Sequence, residues 1–113
     1  MCVPRSSMKK DCIVVFVTCA SAKEARALVY SLLKKKLVAC GNITANVKSY
    51  FRWKGRIERS SEAFVMLKAR RRRFGDIEKE IKRMHSYDIP EIIALPIAAG
   101  SDEYIKWVKE NCK

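Results

Sequence analysis

Ile13-Val14-Val15-Phe16-Val17, followed closely by Ser21-Ala22-Lys23-Glu24-Ala25, decides how this chain folds. The first five residues are β-branched or aromatic without interruption, the pattern of a strand buried on both faces. Ser21 and Glu24 stand three residues apart. At that spacing a serine hydroxyl caps a free helix amide while the glutamate reaches back toward the entering backbone. Ala22, Ala25, Leu28, Val29, Leu32 and Leu33 then recur at helical spacing and form one apolar face. Lys34-Lys35-Lys36 closes the helix, where cations suit the negative end of its dipole.

The rest of the chain continues this alternation. A long second strand is expected from Leu37 to Trp53, and Lys54-Gly55 supplies the tight turn, because glycine accepts the positive φ a hairpin needs. A third strand returns through Ile57 and Ala63-Phe64-Val65-Met66-Leu67. Arg70-Arg71-Arg72-Arg73 leads into a second helix, with Phe74, Ile77, Ile81 and Met84 on one face. A fourth strand is expected from Ile92 to Ala98. Gly100-Ser101 then introduces a short last helix carrying Tyr104, Ile105 and Val108.

The order is β-α-β-β-α-β with an extra C-terminal helix, an α+β chain. Two right-handed split βαβ units joined by a hairpin give a ferredoxin-like sandwich, with helices on one face of an antiparallel sheet. Strands one, three and four are apolar at consecutive positions, so both sheet faces should be covered, and two main helices cover only one. The other face is therefore expected to meet another copy of the chain.

Composition agrees with one folded domain. The chain has 113 residues, 49% of them hydrophobic, with only four glycines and three prolines, which argues against disorder. Residues 1 to 10 are expected to be a loosely ordered tail and residues 11 to 113 the single domain. No apolar run approaches the roughly 18 residues of a membrane span. Lys9, Lys10, the apolar run and Ala20-Ser21-Ala22 imitate a signal peptide. Asp11 interrupts the approach, however, and Ser21 is better used as a helix cap. Five cysteines at positions 2, 12, 19, 40 and 112 form no C-x-x-C pair. An odd number at irregular spacing fits reduced thiols in a cytoplasmic protein.

The expected topology sorts the chemistry into two ends. Strands one and two run one way and strands three and four the other, so Cys19, His85 and Glu91 share the upper end, while Cys40, at the start of strand two, falls at the lower end and drops out of that set. Thiolate, imidazole and carboxylate suit copper or zinc, and these three are the candidate metal ligands. His85 has a plainer alternative as a helix C-terminal residue that bonds last-turn carbonyls. The lower end gathers Lys34, Lys35, Lys36, Arg70, Arg71, Arg72 and Arg73 in a chain of net charge +12. This patch is a candidate site for an anionic ligand or acidic partner. Nucleic acid is not read as the main role: Tyr50, Phe51 and Trp53 lie on a strand, but the third strand lacks the glycine and aromatic pattern of an RNA-recognition sheet. No Ser-His-Asp context, glycine-rich phosphate loop or close carboxylate pair is visible, so the chain is not read as an enzyme.

Several spaced motifs resemble one family. Leu37-Val38-Ala39-Cys40-Gly41-Asn42 is similar to the start of strand two in the CutA divalent-cation-tolerance proteins, and Ser49 to Glu58 to their aromatic hairpin. Glu62 to Lys68 resembles their third strand and His85 to Glu91 their His-Pro-Tyr-x-x-Pro-Glu element, with Ser86 in place of the first proline. Gly100, Tyr104 and Trp107 fit the C-terminal pattern. The resemblance implies a ferredoxin-like homotrimer, PII-like in architecture, linked to tolerance of copper and other divalent metals, with no required cofactor. It also implies a ligand cleft between subunits, for which Trp53, Lys68, Tyr87 and Glu91 are the candidates. A PII-like regulatory module binding an anionic ligand is the alternative reading.

Overall fold

The computed structural model describes residues 11–113, so the expected tail, Cys2, Lys9 and Lys10 lie outside the described residues. The elements are β1 (Cys12–Cys19), α1 (Ala22–Lys34), β2 (Cys40–Trp53), β3 (Arg56–Arg70), a single 3-10 turn (Arg71–Arg73), α2 (Phe74–Met84), β4 (Ile92–Pro96) and α3 (Asp102–Glu110). The four strands form one sheet in the order β2-β3-β1-β4, every neighbouring pair antiparallel. This is the α+β arrangement expected from the sequence, and the apolar run Ile13 to Val17 occupies an inner strand.

Register separates the two faces. Ile13, Val15, Val17 and Cys19 of β1 and Ala63, Val65, Leu67 and Ala69 of β3 are all buried. They pack with Ala25, Leu28, Val29 and Leu32 of α1 and Ile77 and Ile81 of α2 in one core. Side chains alternate along a strand, so Val14, Phe16, Thr18, Phe64, Met66 and Lys68 point to the opposite face, where they are only half-buried. β4 places Ile93 opposite Phe16 and Leu95 opposite Val14, and these two remain 52% and 54% exposed. Phe16 and Phe64 stack there with centroids 5.4 Å apart. The lower end of this second face is covered from within the chain: Cys12 packs with Ile105 and Val108 of α3, beside Ala39 and Ile97. The sequence pattern had assigned α3 to neither face.

Three boundaries differ from expectation. β2 starts at Cys40, not Leu37, because Lys36 turns the chain through a left-handed conformation (φ 59) and Leu37 and Val38 drop into the core. β3 extends to fifteen residues, since β2 pairs with it all the way to Trp53↔Arg56. β4 ends at Pro96 rather than Ala98. The Lys54-Gly55 turn has positive φ at both residues (51 and 77), as a two-residue type I′ hairpin requires. β1 stops at Cys19, opposite Ala63. The hairpin beyond that point therefore overhangs the sheet as a two-stranded ribbon, with Tyr50, Phe51, Trp53 and Ile57 exposed.

Candidate functional site

The upper end is built where β1 stops, α1 starts and α2 gives way to β4. Ser21 Oγ accepts from the Glu24 amide at 3.1 Å, and the Glu24 carboxylate accepts from the Ala20 amide at 3.3 Å, which completes the cap one residue earlier than expected. The same carboxylate accepts from Ser86 N–H at 2.9 Å and from Ser86 Oγ at 3.0 Å. Glu24 thus clamps the segment after α2 onto the start of α1. Ser86, at the position where the resemblance calls for proline, holds that turn by hydrogen bonds instead.

His85 is fully buried in its side chain and committed within the protomer. Its Nε2 lies 2.7 Å from the Thr18 carbonyl, and its Nδ1 lies 3.0 Å from the Tyr87 amide nitrogen. A carbonyl only accepts and an amide N–H only donates, so the partners fix the tautomer with the proton on Nε2. Tyr87 stacks obliquely on the imidazole at 4.8 Å and donates to the buried Glu62 carboxylate at 2.8 Å. Burial, and then that carboxylate, push the Tyr87 phenol up to about 12. Cys19 is also buried, and its thiol is pushed up to about 12, by burial first and then by Glu24 and Glu62.

Within the protomer, the expected ligands Cys19, His85 and Glu91 are not assembled. Among the described residues no three His, Cys, Asp or Glu side chains stand together as a metal site. Cys19 holds its proton at neutral pH, while a metal binds the thiolate. Both His85 nitrogens are occupied, and Glu91 lies exposed. Nor does His85 bond the last-turn carbonyls through its ring. Its backbone N–H does so, to Ile81 at 2.8 Å, and the ring reaches β1.

A second polar cluster lies on the second face, where sequence reasoning had set Cys40 aside. Cys40 pairs with Lys68 across β2 and β3 and Asn42 with Met66, so Cys40, Asn42 and Lys68 point the same way. Lys68 Nζ donates to Asn42 Oδ1, and the half-buried Cys40 thiol points at the same oxygen from 3.7 Å. The Tyr104 hydroxyl contacts Cys40, and burial, then Cys40, raise the phenol. Trp107 stacks on Tyr104 at 5.6 Å. Tyr104 and Trp107 belong to α3, which Ser101 caps by accepting from the Tyr104 amide at 3.2 Å. The pattern of Cys40, Asn42, Tyr104 and Trp107 was visible in the sequence; their meeting depends on α3 folding over the second face.

The four cleft candidates are not neighbours in one protomer. Lys68 sits opposite Cys40 and Trp53 opposite Arg56. The thirteen residue steps from Cys40 to Trp53 correspond to on the order of 40 Å of strand at about 3.3 Å per residue. Tyr87 and Glu91 belong to the upper end. A cleft lined by all four requires the hairpin of one chain to reach the face of another.

The lower end does assemble. Lys113 N–H donates to the Lys36 carbonyl at 2.8 Å, and Arg72 donates to the Lys113 carbonyl at 3.4 Å. Cys112 Sγ lies 3.1 Å from the Leu37 carbonyl and accepts from the Arg70 amide at 3.3 Å. The lysine and arginine runs are thereby joined through Cys112 and Lys113. Lys35 pairs with Glu80 at 2.9 Å and Arg73 with Asp76 at 2.8 Å. The second pair offsets the unfavourable charge of an arginine at a helix start.

A family model described as "CutA1 divalent ion tolerance protein" matches residues 13–111. The divalent-cation tolerance protein CutA of Archaeoglobus fulgidus is 41% identical over 97 residues, covering 86% of this chain and 94% of that protein. The CutA of Thermus thermophilus is 37% identical, covering 87% and 95%. The chloroplastic CutA of Arabidopsis thaliana is 35% identical over 108 residues, and there the chain spans 59% of the relative's length. Among solved structures, CutA1 from Oryza sativa superposes with a TM-score of 0.89 at 32% identity, covering 94% of this chain and 97% of that one.

Proposed function

Because the chain belongs to the CutA1 divalent ion tolerance family, we propose that it acts in divalent-cation tolerance as a non-enzymatic cytoplasmic homotrimer. In this reading it takes a metal ion, copper foremost, or a small ligand in clefts between subunits. One observation carries the proposal. The cleft residues Trp53 and Lys68 are separated by most of the length of the β2–β3 hairpin, while the second face beside Lys68 leaves Ile93 and Leu95 exposed. A second copy that covers this apolar face and lays its hairpin along it supplies both the missing burial and the missing half of the cleft.

Within that cleft Cys40 is the better soft ligand. Its thiol is half-buried on the second face, whereas Cys19 is sealed in the core with its proton held. Copper(I) favours thiolate, and Asn42, Lys68 and Tyr104 surround the sulfur with polar groups. The set Cys19, His85 and Glu91 serves only if His85 gives up Thr18.

Titration of the reduced, metal-free protein with Cu(I), Cu(II) and Zn(II) tests this. Cys40→Ser is expected to weaken Cu(I) at least tenfold, and His85→Ala with Glu91→Ala to leave it within about threefold. Loss of affinity only in the second variant would move the site to the upper end. No saturable binding of any of the three ions would remove the metal reading.

A further inference from the structure

We propose that the lower end is a docking surface for the phosphate backbone of nucleic acid, bound without reading the bases. This goes beyond cation tolerance and uses residues outside the second-face cluster. Lys34, Lys36, Arg71, Arg72 and Lys113 are all exposed. They come from three separate segments, which the Arg72–Lys113–Lys36 hydrogen bonds join into one surface. Lys35 and Arg73 are neutralised by Glu80 and Asp76. The lysine and arginine salt bridges to aspartate and glutamate among the described residues involve Lys35, Arg73, Lys82, Arg83, Lys106 and Lys109, not the other five cations. Lys36 also holds a left-handed conformation (φ 59), where glycine would be the unstrained choice, so a cation stands at the junction at some conformational cost.

The chemistry of the patch selects among anions. Arginine forks match phosphate oxygens in pairs, and a polyanion meets several cations at once and releases counterions from each. A lone phosphate is not cradled here. The hollow of about 280 Å³ in the patch has Lys36 and Lys113 in its lining, but Leu33, Val38 and Ala39 share that lining with Asn111 and the acidic Glu110. A membrane surface would call for several exposed apolar side chains among the cations, whereas Leu33, beside Lys34, is 39% exposed and the aromatic Tyr30 lies one turn back on α1. The proposal is carried by the cations alone and includes no base recognition, which would call for aromatics interleaved with them.

The test uses the assembled protein and fluorescently labelled 20-nucleotide single strands and duplexes of mixed sequence, read by anisotropy from about 50 to 200 mM salt. The probe comparison includes vesicles containing phosphatidylserine and a polyglutamate peptide. In the fourfold variant Lys34→Gln, Lys36→Gln, Arg71→Gln, Arg72→Gln, affinity for both nucleic acids is expected to fall at least tenfold at the lowest salt. The slope of log K against log salt should shrink by about 3, as four lost phosphate contacts require. A hairpin variant (Lys48→Gln, Arg52→Gln, Arg59→Gln) should bind within about threefold of the parent. Circular dichroism of both variants confirms the fold. The proposal is overturned if the parent does not bind nucleic acid, if the fourfold variant binds it unchanged, or if the hairpin variant is the one that loses it. Stronger binding of the patch to vesicles or polyglutamate than to nucleic acid also overturns it.

Discussion

Gly41 stands on β2 between Cys40 and Asn42, directly under α1. A Cβ added there would lie 2.6 Å from Val29 Cγ1 and 3.2 Å from both Val29 Cγ2 and Leu67 Cδ2. Carbon atoms settle at about 3.5–4.0 Å, so the closest contact falls short by roughly 1 Å. Val29 cannot swing aside: it is buried, and a β-branched side chain in a helix has essentially one χ1 well. Gly41→Ala therefore forces α1 and β2 apart. Overpacking of this kind costs about 1–3 kcal/mol, while replacing glycine by alanine gains about 0.4–1 kcal/mol through the unfolded chain. The clash wins, and the net loss is about 1–2 kcal/mol. With a urea m-value of about 1–3 kcal/mol per molar, the midpoint should fall by on the order of 1 M with m unchanged. Parent and variant are compared at equal chain concentration, because assembly couples to stability. Adding Val29→Ala to Gly41→Ala should recover part of the loss relative to Val29→Ala alone. A midpoint at or above that of the parent would refute the close helix–sheet contact.

Glu80 is 6% exposed and accepts from Arg83 (2.8 and 2.9 Å) and Ser31 (2.6 Å), with Lys35 at 2.9 Å. These partners, Arg83 first, hold its carboxyl well below the usual carboxylate range. Its stabilisation is then fully present above the unfolded value of about 4.3 and is lost as pH falls below it. Glu80→Gln should lower stability at pH 7 and flatten the acid limb of a denaturation series between about pH 4.5 and 2.5; an unchanged acid limb would count against the buried pairing. His85→Ala removes the partners of the Thr18 carbonyl and the Tyr87 amide at once. Unpaired buried groups cost about 1–3 kcal/mol each, so a loss of about 3 kcal/mol is expected, with faster hydrogen exchange at Tyr87. A loss under 0.5 kcal/mol would mean that the ring does not hold this seam.

Local signals carried most of the fold. The Ser21–Glu24 cap, the Lys54-Gly55 turn and the Ile77–Ile81 spacing are each written in residues no more than four apart, and each element formed where they placed it. Boundaries failed where a tertiary demand overrode pattern. Leu37 and Val38 read as strand but are taken into the core once Lys36 turns left-handed. The site was less legible because its contacts are long-range: His85 to Thr18 spans 67 residues and Tyr87 to Glu62 spans 25. Cys40 was set aside because strand direction put it at the lower end. What sequence direction did not reveal is that α3 brings Tyr104 and Trp107 onto the same face.

The central claim is that the exposed apolar face and the overhanging hairpin are completed by other copies of the chain. Sedimentation equilibrium at micromolar concentration tests it most directly. The account predicts a single species of about three times the 13.0 kDa chain mass. Ile93→Asp with Leu95→Asp, at positions half exposed in the protomer, should convert it to a folded monomer. A parent protein that sediments as a stable monomer would contradict the account.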